Sequence, residues 1–266
     1  MLKADINSIA RRLHQAEKNV ERIKQTSLEY PDITIEDAYA IQTEWCRIKS
    51  EEGQIVKGHK IGLTSRAMQM QAEIDEPDFG TLFDQMFFED GAQIPAGRFL
   101  TPMVEVELAF ILKQPLKGHS VTVFDVLNAT DYITPALEII DFRNKCVDEG
   151  QKQTRTVMDT ISDNAANAGI ILGGRAIKPN DIDLRWASAL LYKNGTIEET
   201  GVAAGVLNNP VNGIVWLCQK LAQFDIGLEA GEVVLAGSFT RPVAVKPGDT
   251  IHGDYGPLGS ITCRFI

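Results

Sequence analysis

The hydrophobic pattern of this chain changes its period near residue 55, and this change limits the possible folds more than any other feature. Before that point, apolar residues recur in steps of three and four, as on one face of an amphipathic helix. They do so twice, as Ile6, Ile9, Leu13, Ala16, Val20 and Ile23, and then as Ala38, Ile41, Trp45 and Ile48. Beyond residue 55, short segments alternate apolar and polar residues, as half-buried strands do. The sequence therefore predicts an α+β fold in which helices precede a β-rich body.

Local signals mark where several of these elements begin and end. Thr34, followed three residues later by Asp37, resembles a capping box at the start of the second helix, which we expect to end near Gly53. Asn194-Gly195 between two alternating segments predicts a tight hairpin. Another helix is predicted after Asn209-Pro210. The segments 232–236, 241–245, 249–252 and 260–266 are typical of short strands.

These signals suggest a division into a helical N-terminal region, 1–80, and a β-rich region, 81–266. The two regions together are also compatible with a single domain of 1–266. The net charge of −10 argues against nucleic-acid and anionic-membrane partners, because neither would attract an acidic surface. The first residues turn polar at once, so we expect no signal peptide, and the sequence has no apolar run of the ~20 residues that cross a bilayer. The four cysteines are far apart, which favours reduced, structural thiols. We therefore expect a cytoplasmic protein.

Two glutamates interrupt an otherwise apolar strand. Glu105 and Glu107 flank Val106, so in a strand both carboxylates share one face, on the order of 7 Å apart. Like charges in such a position are unfavourable unless solvent or a cation compensates them. For this pair alone, a solvent-exposed face is the simpler explanation.

A third acid, Glu138, favours the cation. It lies in a second apolar, strand-like run, 135–141. Three carboxylates in such strands, without a histidine or cysteine of suitable spacing nearby, suit a hard cation with oxygen ligands. The sequence therefore predicts a site for Mg²⁺ or Mn²⁺ on Glu105, Glu107 and Glu138, with the other coordination positions open to water or substrate.

Lys60 and Asp78 are the candidate proton-transfer residues. Lys60 lies in a strand-like, glycine-flanked segment, where it would stabilise negative charge or act as an acid or base; the alternative is an edge-strand lysine that opposes aggregation. Asp78 is placed on a turn and is either a turn former or catalytic. His59, beside Lys60, is interpreted as structural. The loops 159–169 and 237–242 offer backbone N–H and hydroxyl groups to a carboxylate, although a plain turn is the simpler interpretation of each.

Five motifs together resemble the hydratase/decarboxylase branch of the fumarylacetoacetate hydrolase superfamily. They are GHKIGLTS at 58–65, EPDFG at 76–80, VEVELAF at 104–110, DNAANAG at 163–169 and LAGSFT at 235–240. The resemblance extends over essentially the whole chain, the N-terminal helices included.

The resemblance implies a mixed β-sandwich roll of the fumarylacetoacetase C-terminal type. It implies that Glu105, Glu107 and Glu138 ligate Mg²⁺ or Mn²⁺, and that Lys60 and Asp78 form the acid/base and electrostatic pair. The substrate-binding residues that it implies are Leu63, Thr64, Ser162, Ser238 and Thr240. Family members are commonly large homo-oligomers, so we expect a homo-oligomer here.

The activity implied is the addition of water to a 2-oxo-4-enoate, namely 2-oxo-hept-4-ene-1,7-dioate, in the meta-cleavage catabolism of homoprotocatechuate, an aromatic compound. The distal carboxylate of this substrate requires a cation, for which Arg66, Arg155 and Arg241 are equal candidates. Alternatives on the same site are hydration of 2-oxopent-4-enoate and decarboxylation of 4-oxalocrotonate. An alternative of another class is a non-catalytic partner subunit, against which the complete set of acidic and basic residues argues.

Overall fold

Helices and strands account for most of the described part of the chain, residues 1–147 and 154–266, in a computed structural model of the protein. The helices are α1 Lys3–Asn19, α2 Thr26–Glu29, α3 Ile35–Glu51, α4 Arg66–Gln71, α5 Val123–Ala129, α6 Val157–Ser162 and α7 Pro210–Ala222. The strands are β1 Val56–Gly62, β2 Asp78–Phe83, β3 Phe87–Phe88, β4 Gln93–Ile94, β5 Met103–Leu112, β6 Thr130–Ile140, β7 Asn167–Leu172, β8 Ser188–Lys193, β9 Thr196–Val202, β10 Val233–Leu235, β11 Val243–Ala244, β12 Thr250–Asp254 and β13 Ser260–Phe265.

The strands form two sheets. The larger sheet has the order β2-β1-β10-β5-β6-β7-β3, with β11 also paired to β5, and the smaller sheet has the order β4-β13-β12-β8-β9. Most neighbouring strands are antiparallel, while the pairs β1–β10, β3–β7 and β4–β13 are parallel. The predicted α+β class, with helices first and mixed β-structure after them, is confirmed.

The main hydrophobic core lies between the two sheets. Val106 and Leu137, on neighbouring strands of the larger sheet, are fully buried in it. Gly253 of β12 in the smaller sheet lies against both side chains, since a Cβ atom there would be 3.1 Å from Leu137 Cδ2 and 3.8 Å from Val106 Cγ1. Successive residues of a strand point to opposite faces of the sheet. Glu105 and Glu107, the neighbours of Val106 in β5, therefore point away from this core.

The N-terminal helices enclose a second apolar cluster around Leu13, Trp45 and Phe83. Helix α3 begins at the predicted capping box, in which Thr34 Oγ1 accepts a hydrogen bond from Asp37 N at 3.2 Å. The prediction that the first helix continues to Ile23 is wrong. Helix α1 ends at Asn19, because Val20 adopts a left-handed conformation (φ 54°), and Ile23 instead bridges to Asn144.

Several other predicted elements are confirmed. Asn194 and Gly195 both have positive φ, 54° and 82°, in the hairpin between β8 and β9, as a tight turn of this kind requires. Helix α7 begins at Pro210 and is capped by Asn209. The four C-terminal strands are present as β10 to β13. Strands β1 and β2 belong to the larger sheet, and the division at residue 80 stays a prediction. Among the described residues, no helix has the length and apolar character needed to span a membrane.

A buried ion pair holds a strained turn beside the larger sheet. Residues 164–166 have φ values of 54°, 49° and 61°, a left-handed conformation that residues other than glycine seldom adopt. The Arg143 guanidinium pairs with the Asp163 carboxylate and donates further hydrogen bonds to the carbonyl oxygens of Asp163 (2.6 Å) and Asn167 (3.0 Å). These bonds fix both ends of the turn and offset its backbone strain.

We expect the Arg143→Met variant to lose about 3 to 5 kcal/mol of unfolding free energy, because it leaves the buried Asp163 carboxylate without its cation. Arg185→Met is the matched control, since Arg185 pairs with Asp183 on the exposed surface. Urea unfolding midpoints measure both. Equal midpoints for the two variants would contradict the bracing role of Arg143.

Candidate active site

Five predicted site residues lie on one face of the larger sheet. Glu105 of β5 is paired directly with Glu138 of β6. Lys60 of β1 is paired with Gly80 of β2, and Gly62 with Asp78. Directly paired residues point to the same side of a sheet, so these side chains all face away from the core between the sheets. The strand register thus brings together acids that are far apart in the sequence.

The three glutamates form a compact cluster of oxygen ligands. One carboxylate oxygen from each of Glu105, Glu107 and Glu138 lies within 4.8 Å of the other two. Glu107 Oε2 accepts a hydrogen bond from the backbone N–H of Gly237 at 2.8 Å, and Glu138 Oε1 accepts one from Asn167 Nδ2 at 2.8 Å. These two hydrogen bonds fix the orientation of the Glu107 and Glu138 carboxylates. The predicted clustering of these three carboxylates is present.

The charges in this cluster are not balanced by the protein alone. Burial, together with the neighbouring Glu138, raises the pKa of Glu105 to about 8 and holds the pKa of Glu107 well above its usual range. Of the described residues, Lys60 is the one that forms an ion pair with the cluster, its Nζ lying 3.4 Å from Glu138 Oε1. Three acids with a single cation, and only oxygen atoms as donors, fit a hard divalent ion such as Mg²⁺ or Mn²⁺.

Lys60 is protonated in this environment. Burial lowers the pKa of Lys60, but Glu138, Asp78 and the two other glutamates raise it by more, so the net shift is upward. The ammonium group therefore acts as a fixed positive charge and hydrogen-bond donor beside the cluster. The alternative, an edge-strand lysine exposed to solvent, is wrong, because Lys60 is buried and β1 lies between two other strands.

The prediction that Asp78 lies on a turn is wrong. Asp78 is the first residue of strand β2, because it pairs with Gly62 of β1 in the larger sheet. Burial raises the pKa of Asp78, and Lys60 partly opposes that shift. Its buried Oδ1 has no hydrogen-bond partner within the described ranges. A Cβ atom at Gly62 would lie 2.2 Å from this oxygen and 3.2 Å from Lys60 Nζ, so only glycine at 62 lets the two charged groups approach.

A cavity of about 610 Å³ opens onto these groups. Of the predicted substrate-binding residues, Leu63, Thr64, Ser238 and Thr240 line it. Ser162, the last residue of α6, is fully buried and does not line the cavity. Its role in substrate binding stays a prediction.

The three candidate arginines differ in their position. Arg155 and Arg241 line the cavity, whereas Arg66 lies on the exposed start of α4, outside it. The loop 237–242 reaches the cavity, as expected for a ligand loop, and Gly237 (φ 117°) packs there against the Thr64 side chain.

Sequence reasoning missed two residues that orient the glutamates. The Tyr255 hydroxyl accepts a hydrogen bond from the backbone N–H of Glu107 at 3.2 Å and donates one to Ala136 O. Asn167 orients Glu138 through its side-chain amide. Asn167 lies in the DNAANAG motif, which offered a signal, but nothing in the local sequence around Tyr255 marks that residue.

Metal-free protein should lose stability as the pH rises from about 5 to about 8. The folded state holds a proton on Glu105 up to a pKa of about 8, far above the ordinary value of 4.5, so deprotonation in this range favours the unfolded chain. Added Mg²⁺ should therefore raise the melting temperature more at pH 8 than at pH 5.5.

Thermal unfolding at both pH values, with and without Mg²⁺, measures this difference. Glu105→Gln should flatten the pH dependence and weaken the effect of Mg²⁺. Glu199→Gln, which changes another acid of the same cavity, should do neither. An equal effect of Mg²⁺ at both pH values would contradict the raised pKa of the cluster.

Fold and site define the class of protein. The family model for the fumarylacetoacetate (FAA) hydrolase C-terminal domain matches residues 53–266, and the chain belongs to this family. The family resemblance and the fold type predicted from the motifs are thereby confirmed, and the chain is an enzyme.

Individual relatives narrow the class further. The chain is 63% identical over 258 residues, 97% of each chain, to 2-oxo-hept-4-ene-1,7-dioate hydratase of Escherichia coli. It is 38% identical over 256 residues, 96% of this chain and 93% of the relative, to 2-keto-4-pentenoate hydratase of Paraburkholderia xenovorans. The chain is also similar to a solved structure, that of 4-oxalocrotonate decarboxylase from Pseudomonas putida G7 complexed with magnesium and adipate. The two structures superpose with a TM-score of 0.94 at 33% sequence identity, over 100% of this chain and 99% of that one.

Proposed function

We propose that this protein is a Mg²⁺- or Mn²⁺-dependent hydratase that adds water to 2-oxo-hept-4-ene-1,7-dioate and yields 4-hydroxy-2-oxoheptane-1,7-dioate. The observation that carries the proposal is the cluster of Glu105, Glu107 and Glu138 beside Lys60 and Asp78 in one cavity. The 63% identity to a hydratase named for this substrate supports the choice of substrate.

The three glutamates would hold the cation, and the open side of the cluster would receive the 2-oxo acid end of the substrate. When bound, the ion supplies a Lewis acid that polarises the 2-oxo group. The magnesium in the decarboxylase structure supports this choice of ion.

Lys60 acts as an electrostatic stabiliser. Its upward-shifted pKa keeps the ammonium group charged, and its position 3.4 Å from Glu138 puts it at the edge of the cluster. There it would donate a hydrogen bond to the substrate oxygen that becomes negative when the 2-oxo group passes through an enolate form. Because that charge develops mainly in the transition state, the contribution of Lys60 falls on the rate more than on binding.

Asp78 moves the protons. Burial shifts the pKa of Asp78 upwards, towards the neutral pH at which an acid/base group works best. Its unpartnered Oδ1 can contact substrate or water. Asp78 would take a proton from the adding water and return one to the carbon chain. The positive charge of Lys60 beside it lowers the pKa of Asp78 and so keeps the carboxylate form accessible.

We further propose that the reaction belongs to the meta-cleavage catabolism of homoprotocatechuate (4-hydroxyphenylacetate degradation), and that the protein works as a large homo-oligomer.

Decarboxylation of 4-oxalocrotonate is the second candidate, favoured by the 0.94 TM-score to a decarboxylase. Release of carbon dioxide from a 2-oxo-4-enedioate, in place of water addition, would identify that activity. No turnover of any 2-oxo-4-enoate would favour a non-catalytic subunit instead.

Glu107→Gln should lower kcat by roughly 100-fold or more in excess Mg²⁺, because one of the three ion-binding carboxylates is lost. Loss of substrate absorbance in the ultraviolet measures turnover. Glu199→Gln serves as the control, since Glu199 lines the cavity outside the cluster and should keep kcat within about threefold. A normally folded Glu107→Gln protein with unchanged turnover would contradict the proposed function.

A further inference from the structure

The cavity continues beyond the glutamate cluster in a definite direction along the strands. Glu105 is paired with Glu138, and two residues away along the same strands Met103 is paired with Ile140. At ~3.3 Å per residue, the second pair lies about 7 Å from the first. Met103 and Ile140 both line the cavity, and Phe142 lines it two residues further along the chain. The cavity thus changes from acidic to apolar with distance from the cluster.

Arg155 lies at this apolar end. Its guanidinium carbon is 3.2 Å from the centroid of the Phe142 ring, and both side chains line the cavity. Arg155 is half-buried, and this burial lowers its pKa without removing its charge. Its backbone N–H is bonded to Cys146 O, so the main chain at this position is anchored.

The charge of Arg155 is available to a ligand. None of the ion pairs between described residues includes Arg155, and Asp163 and Asp159 raise its pKa only from a distance. Arg241, the other arginine of the cavity, differs in both respects, because its side chain is 80% exposed and pairs with Glu199 at 2.7 Å. A free, partly desolvated guanidinium binds a carboxylate more strongly than one that is solvated and already paired.

We propose that Arg155, held against the face of Phe142, binds the distal carboxylate of the substrate, while Met103 and Ile140 contact the apolar middle of its carbon chain. The proposal rests on the proposed function for the position of the 2-oxo acid end. With that end at the glutamate cluster, a seven-carbon chain extends past the Met103–Ile140 pair towards Arg155. A five-carbon monoacid would leave this subsite without an anion.

The test measures binding of two unreactive acids, 2-oxoheptanedioate and 2-oxopentanoate, by calorimetry on the full chain in saturating Mg²⁺. The unsubstituted protein should bind the diacid at least 10-fold more tightly. Arg155→Gln should weaken diacid binding by roughly 10- to 100-fold, the range for a lost charge-assisted hydrogen bond, and leave monoacid binding within about threefold. The matched control, Arg241→Gln, should leave the binding of both acids within about threefold.

Arg155→Lys is a second variant that keeps the positive charge and so separates loss of charge from loss of structure. It should retain monoacid binding and part of the preference for the diacid. The proposal is overturned if the unsubstituted protein does not prefer the diacid, if Arg155→Gln keeps the preference, or if both Arg155 variants lose the two acids equally. A preference that depends on Arg155, in a protein that hydrates no 2-oxo-4-enoate, would uphold the subsite and refute the hydratase function.

Discussion

Repulsion among three closely spaced carboxylates is the constraint on which the rest of this structure depends. Glu105, Glu107 and Glu138 share one face of the larger sheet, and burial with like-charge proximity raises the pKa values of Glu105 and Glu107. The other face of the same strands supplies the compensating stability, because Val106 and Leu137 are buried there in the main core. Hydrophobic packing on one side thus holds the strands in a register that places three acids together on the other, and leaves a cation as the natural remaining partner.

The strained turn at 164–166 ties the two halves of the site together. Asn164 exchanges two hydrogen bonds with the backbone of Thr81, three residues after Asp78, and Asn167 at the end of the turn orients Glu138. The buried Arg143–Asp163 pair holds the same turn from behind. The positions of the proton-transfer residue and of a metal-binding glutamate are therefore coupled through one short segment. Such strain persists where surrounding interactions are strong enough to fix it, and that condition is common near functional sites.

The sequence was most informative where the signal was local. Alternation around Val106 predicted β5 and the shared face of Glu105 and Glu107, and the capping box predicted the start of α3. Motif resemblance, rather than periodicity, singled out the partnership of Lys60 and Asp78. The register between strands could not be read from the sequence, because β10 inserts between β1 and β5 from more than 120 residues further along the chain. The choice of Arg155 over Arg241 likewise depends on burial and ion pairing, which only the packed structure reveals.

The three glutamates are proposed to hold one divalent cation. Crystals grown with Mn²⁺ and measured at the manganese absorption edge test it most directly, because the anomalous signal locates the ion independently of the protein atoms. We expect one strong peak per chain within coordination distance of Glu105, Glu107 and Glu138 together, facing the cavity that Lys60 and Asp78 line. A chain with no peak among these carboxylates, or with the ion bound elsewhere, would contradict it.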